Sequence, residues 1–89
     1  MKFVIRYSIL TGRYEATVKL FLETGAPPPA GVNLLGRYHA ANGTGFIIAE
    51  SPDLNGISVW LADWMELCSF EVAPVVEDAE MAAVQSQRK

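Results

Sequence analysis

The chain has one cysteine, one histidine and only 7 basic residues in 89, and each scarcity closes off a class of function. A single cysteine, Cys68, excludes an intramolecular disulfide and a cysteine-rich metal site, leaving a small buried hydrophobe as its simplest role. With His39 the only histidine, Glu50 and Glu71 are the nearest thing to further ligands, and their spacing specifies no metal. A haem would find no axial ligand beyond His39. No metal and no cofactor are expected. Seven basic residues against 10 acidic ones, formal net charge −3, supply no clustered cationic surface to displace counterions, so nucleic acid is not an expected partner. No apolar run approaches the roughly 18 residues of a membrane span, and Arg6 interrupts the opening Met1-Lys2-Phe3-Val4-Ile5, which does not resemble a signal peptide. The expectation is a cytoplasmic protein without membrane contact. Nucleophile elbows and acid pairs are lacking too. Asn42-Gly43-Thr44-Gly45 has neither the lysine nor the following helix that a phosphate loop needs.

What is present is enough to build a core. Hydrophobic residues make up 51% of the chain, and a length of 89 suits one domain over residues 1–89. A domain this small leaves much of its apolar periphery exposed and gains stability by associating. Phe3, Ile5, Tyr7 and Ile9 alternate with Lys2, Val4, Arg6 and Ser8, a strand over about Lys2 to Ile9. Tyr14, Val18, Phe21 and Leu22 follow helical spacing between Arg13 and Thr24, and Gly25 suits the left-handed position after the helix. Ala26-Pro27-Pro28-Pro29-Ala30-Gly31 is a stiff connector; as an SH3-type ligand it would need a basic neighbour, which it lacks.

Asn42-Gly43 between two apolar runs marks a hairpin, Val32 to Ala40 and Thr44 to Glu50. Ser51-Pro52-Asp53 predicts a helix start with the serine hydroxyl as cap, the helix running to about Leu67 with Leu54, Ile57, Trp60, Leu61, Trp64 and Cys68 as its apolar stripe. Gly56 inside it points to close packing. Phe70 to Val75 is a further strand, placed at an edge by Pro74. Glu77-Asp78-Ala79-Glu80 opens a helical tail over 77–89, acidic at its start and basic at Arg88-Lys89, with Met81 and Val84 as a thin apolar side.

The order strand, helix, strand, strand, helix, strand is the ferredoxin-like β-α-β-β-α-β pattern of the α+β class: a four-stranded antiparallel sheet with both helices on one face, plus the C-terminal helix. A two-residue turn at Asn42-Gly43 sets His39 opposite Phe46, Arg37 opposite Ile48 and Leu35 opposite Glu50. Leu35, Arg37, His39, Phe46, Ile48 and Glu50 then share the face away from the helices, while Leu34, Gly36, Tyr38, Ile47 and Ala49 pack beneath them. The first set is too apolar for water and too charged for a core, which predicts a sheet-on-sheet homodimer whose closed centre holds the charges. A change of one residue in the turn would rephase the two strands.

These residues also carry a family resemblance. Met1-Lys2-Phe3-Val4, Phe21 to Pro29, Leu35-Gly36-Arg37-Tyr38-His39, Val59 to Trp64 and Phe70 to Asp78 resemble an uncharacterised bacterial family known as domain of unknown function 3303, over nearly the whole chain. The aromatic before the histidine is more usually tryptophan there, so Tyr38 is a departure. The family is similar to dimeric α/β-barrel proteins, in which two ferredoxin-like subunits join their sheets; small monooxygenases, haem-degrading enzymes, chlorite dismutases and stress proteins share that architecture. The resemblance implies a dimeric α/β barrel and assigns no activity.

The candidate ligand-binding residues are Arg37, His39, Glu50, Arg6 and Trp60. Arg37 and His39 could hold an anion or move a proton. A diagonal Arg37–Glu50 pair, joined by Arg6 and Glu71, would equally serve as a buried register-setting network. Trp60 and Trp64, one helical turn apart, are core aromatics or the wall of a flat pocket between helices and sheet that would take an aromatic or quinone-like molecule. Two functions follow: a noncatalytic homodimer that binds a small molecule or has a structural or stress-associated role, and a small oxygenase-like enzyme acting on a hydrophobic or anionic ligand near Arg37 and His39.

Overall fold

The computed structural model describes residues 1–88. Seven elements follow in order: β1 (Lys2–Ile9), α1 (Tyr14–Thr24), β2 (Asn33–His39), β3 (Thr44–Glu50), α2 (Leu54–Ala62), β4 (Cys68–Val75) and α3 (Asp78–Gln85). The strands form one antiparallel sheet in the order β2-β3-β1-β4, the ferredoxin-like arrangement that the element order predicts. β4 is an edge strand, as Pro74 requires. Alternation along β1 buries Phe3 and Ile5, which meet Ile47 and Ala49 of β3 and Ile57, Trp60 and Leu61 of α2. That cluster is the core. α1 contributes less to it: Thr17 is its one buried residue, and Leu22, expected on its packed face, is exposed.

Helix boundaries follow the local hydrogen bonds. α1 ends where the Gly25 N–H reaches the Phe21 carbonyl at 2.7 Å with φ at 71°, the left-handed cap. α2 is capped by Asp53, whose carboxylate accepts from the Gly56 N–H at 3.4 Å, and not by Ser51. Ser51 is instead buried at the end of β3, its N–H bonded to the Met1 carbonyl, and its hydroxyl occupies the space a side chain at position 56 would fill. α2 also stops at Ala62, short of the expected Leu67. The strand ladder wins there: Cys68 pairs with Ile9 in β4, and the Leu10 N–H bonds to the Leu67 carbonyl. α3 opens with a capping box between Glu77 and Glu80, and Glu77 is tied to Lys2 by an ion pair. The hydrogen bond from Lys2, more than its charge, holds the Glu77 carboxyl below the usual glutamate range. Met81 and Val84 on this helix are exposed; Lys89 lies outside the described residues.

The hairpin differs from the two-residue turn in a way that relocates the site. His39 pairs with Gly45, Tyr38 with Phe46 and Arg37 with Ile47. The Gly43 N–H bonds to the Ala40 carbonyl and the Ala40 N–H to that of Thr44, closing a three-residue loop with Gly43 at φ 82°. A type I turn followed by a left-handed glycine is the usual three-residue hairpin. The Asn42 side chain steadies it by accepting from the Thr44 N–H and hydroxyl at 3.2 and 2.7 Å. A second irregularity, a bulge between Leu34 and Gly36, restores Leu34 to the core side opposite Ala49. The consequence is a correction: Arg37 and His39 lie with Ile47 on the helix-covered side, and Tyr38 and Gly36 lie with Phe46 and Ile48 on the other. Neither charge is therefore stranded on the uncovered face, and neither calls for a second copy to cover it.

Candidate functional site

Beneath α1, between it, α2 and the sheet, is a chamber of about 240 Å³. Its walls are mostly apolar: Val18 and Phe21 from α1, Ile47 from β3, Trp60 and Leu61 from α2, and Phe70 from β4. α1 buries so little because this space lies under it. Tyr7, Arg37 and His39 bring polar groups into the lining, with the Phe21 ring against both Arg37 and His39.

Arg37 is half-buried, with its guanidinium 5.0 Å from the centre of the Phe21 ring. Its Nη1 donates to the Ala26 carbonyl at 2.9 Å and its Nη2 to that of Gly25 at 3.2 Å. Trp60 Nε1 donates to the same Ala26 carbonyl at 3.3 Å. These bonds hold Ala26 in the left-handed region at φ 44°, a conformation that costs a residue with a Cβ roughly 1–2 kcal/mol. The first turn of the proline-rich connector is thus clamped by a cation and an indole. Both partners of Arg37 are neutral carbonyls, and the one ion pair among the described residues is Lys2–Glu77, so the cation has no carboxylate beside it. Desolvation lowers the Arg37 pKa below the usual arginine range.

Tyr7 and His39 are joined by a hydrogen bond of 2.5 Å between the hydroxyl and Nδ1. They stand on strands that do not touch; β3 lies between them, and both pair with Gly45. A Cβ at position 45 would sit 2.4 Å from Tyr7 Cε2, so the tyrosine ring crosses β3 through the space glycine leaves. The His39 ring meets the rings of Tyr7 and Phe21 edge-on, at 5.8 and 5.4 Å between centres. Partial burial raises the Tyr7 pKa, so the phenol stays protonated at neutral pH. Cys68 lines the chamber as well, and burial likewise pushes its thiol up, away from the reactive thiolate.

Of the five residues singled out in the sequence, the fold therefore brings three together: Arg37, His39 and Trp60 all line the chamber. Arg6 does not join them; it lies on the opposite face, exposed and paired across the ladder with Glu71. Glu50 sits at the far end of β3 between Lys2 and Asn33, and the diagonal Arg37–Glu50 ion pair is not formed. Sequence reasoning missed Tyr7, Gly45 and the Gly25 and Ala26 carbonyls. The alternation in β1 already placed Tyr7 on the face of Phe3 and Ile5, but nothing local to it announces a partner two strands away. Among the described residues no three of His, Cys, Asp and Glu gather as metal ligands, and no helix is long and apolar enough to cross a membrane.

No curated protein and no solved structure gives a match to the chain. One family does, over residues 1–89, in keeping with the Gly36-Arg37-Tyr38-His39 and Pro74-Val75-Val76-Glu77-Asp78 segments. The chain belongs to the family described as domain of unknown function (DUF3303).

Proposed function

We propose that the protein is a small homodimer that binds a flat, largely apolar small molecule in the chamber under α1. The observation that carries this reading is the shape and chemistry of that space: apolar and aromatic walls with a few polar groups among them, the usual make-up of a small-molecule site. The space is open to solvent on the side of the exposed Tyr14, His39 and Ala40, which gives a ligand a way in. The volume of about 240 Å³ exceeds the roughly 150 Å³ in which a benzene fits and falls short of the roughly 300 Å³ at which drug-sized pockets begin. A ligand of one or two rings suits it. Menadione and 2-naphthoate are probes of the right size, one a quinone and one an aromatic acid. At a hundredfold excess over its Kd, a bound probe stabilises the native state by about 2.7 kcal/mol, so the melting temperature should rise by roughly 10 °C or more. Failure of both probes to shift the melt would remove the reading.

The dimer half of the proposal now rests on the uncovered sheet face itself. Tyr38 and Phe46 are 56% and 44% exposed there and pack against each other at 5.1 Å between ring centres, beside Val4 and Ile48. Arg6 and Glu71 stand side by side among them, a self-complementary pair that a two-fold copy can satisfy. Light scattering at micromolar concentration should give twice 9.7 kDa, and Phe46→Lys should give 9.7 kDa with unchanged circular dichroism. A parent chain that scatters as a monomer would refute the dimer without touching the chamber.

A second reading, an oxygenase-like enzyme acting in the same chamber, is favoured by one observation. The Tyr7–His39 pair places a proton acceptor in the lining, where a binding protein needs only a hydrogen-bond donor.

A further inference from the structure

The chamber's charges do not balance, and the imbalance names a ligand class. Arg37 is the one permanently charged residue in its lining, and its hydrogen bonds in the fold go to neutral carbonyl oxygens. A half-buried cation without a counter-ion favours whatever anion enters beside it. The neighbouring titratable groups add no negative charge. They are Tyr7 from β1, His39 from β2, Tyr14 from α1 and Cys68 from β4; the hairpin loop supplies Gly43, β3 supplies Ile47, and α2 supplies the neutral Trp60 and Leu61. Among the described residues no carboxylate and no lysine lines the space.

The Tyr7–His39 hydrogen bond supplies the complementary half. With Nδ1 as acceptor, the Tyr7 hydroxyl donates to it, and the lone pairs of the Tyr7 oxygen remain for another donor. A carboxylate ligand has no proton to give there; a phenol or an enol does.

We propose that the chamber takes a weakly acidic hydroxyl compound, a phenol or enol, and binds it as its anion, a deepening that rests on the chamber being a ligand site. The ligand O–H bond breaks as its proton joins the Tyr7 oxygen, while the proton already on Tyr7 passes to His39 Nδ1. The tyrosine ends as it began, the imidazole becomes imidazolium, and the ligand oxygen keeps the electron pair of the broken bond beside Arg37. One proton enters Tyr7 as another leaves it, both moving from ligand toward His39, and no oxidant or reductant is consumed. The raised pKa of Tyr7 suits it to this relay, because it remains a hydroxyl. His39 is exposed at the mouth, so its proton can leave to water. Gly45 is what allows the relay to span β3.

The probe is 4-nitrophenol, whose anion absorbs in the visible and whose neutral form does not, with its methyl ether 4-nitroanisole as the comparison that cannot ionise. At a pH about one unit below the free phenol's own pKa, the bound phenol should show the phenolate spectrum and bind about tenfold or more tightly than the anisole. Tyr7→Phe and His39→Gln should each erase the phenolate spectrum and bring the two affinities together, while anisole binding persists as proof that the chamber is intact. Equal binding of both probes by the parent protein, with the phenol neutral, overturns the relay and leaves the chamber standing. Binding of neither probe overturns both. A phenolate spectrum that survives Tyr7→Phe and His39→Gln overturns the relay as well.

Discussion

Replacing Gly45 with alanine should lower stability by at least about 2 kcal/mol and part Tyr7 from His39. The added Cβ would stand 2.3 Å from the Tyr38 carbonyl oxygen and 2.4 Å from Tyr7 Cε2, both well inside contact distance. The tyrosine ring can swing away; the carbonyl belongs to the neighbouring strand and cannot move without breaking the β2–β3 ladder. Overpacking of this kind costs typically about 1–3 kcal/mol, and a backbone clash belongs at the upper end. For a domain of this size that is a fall of roughly 8 °C or more in melting temperature. Gly43→Ala is the control. Gly43 has φ at 82° but its Cβ would meet only Ile9, at 4.0 Å, so it should cost the left-handed penalty of roughly 1–2 kcal/mol and leave the Tyr7–His39 bond in place. Thermal unfolding gives the two energies, and the NMR signals of the His39 ring report whether Tyr7 is still bonded to it. If Gly45→Ala melts with the parent protein, the crossing of β3 by Tyr7 is wrong.

Trp60→Ala should be the most damaging single change in the chain, costing about 3–5 kcal/mol in chemical denaturation. Trp60 is 6% exposed, packs in the core cluster with Ile57 and Leu61, and forms part of the chamber wall. Truncation opens the chamber into the core and removes one of the donors that hold Ala26 at its positive φ. Against the 5–15 kcal/mol typical of a whole domain, that loss leaves a marginal protein. Trp60→Phe separates the two contributions. It keeps most of the ring volume and removes the N–H, but Arg37 still donates to the Ala26 carbonyl, so the hydrogen-bond share should be about 1 kcal/mol. A Trp60→Ala variant within 1 kcal/mol of the parent would show that the indole is a dispensable wall.

The hairpin shows how far the sequence carries and where it stops. Alternation in Lys2–Ile9, the proline in Phe70–Val75 and the glycine after Thr24 each act within a few residues, and each places its element correctly. The face on which Arg37 and His39 lie depends on one residue in a turn. Asn42-Gly43 fits a two-residue loop, and Ala41-Asn42-Gly43 fits a three-residue one with glycine in the left-handed place; period-two alternation then converts that single residue into the opposite side of the sheet. α2 follows the same logic. Its apolar spacing continues past Ala62, but Cys68 is worth more paired with Ile9 than as another turn of helix. The site residues were legible as chemistry: an arginine and a histidine at i and i+2, and an aromatic helix face. Their assembly was not, because Tyr7, Gly45 and His39 are joined only by sheet order, and Arg37 and Trp60 only by the carbonyl of Ala26.

The most direct measurement is a map of backbone amide shifts in isotope-labelled protein titrated with whichever of menadione and 2-naphthoate raises the melting temperature. Saturable shifts are expected at Thr17, Val18, Trp60 and Cys68, around the chamber, with Val4, Phe46, Ile48 and Glu71 on the opposite sheet face left in place. Shifts confined to Val4, Phe46, Ile48 and Glu71, with the chamber amides unmoved at saturation, would contradict binding in the chamber.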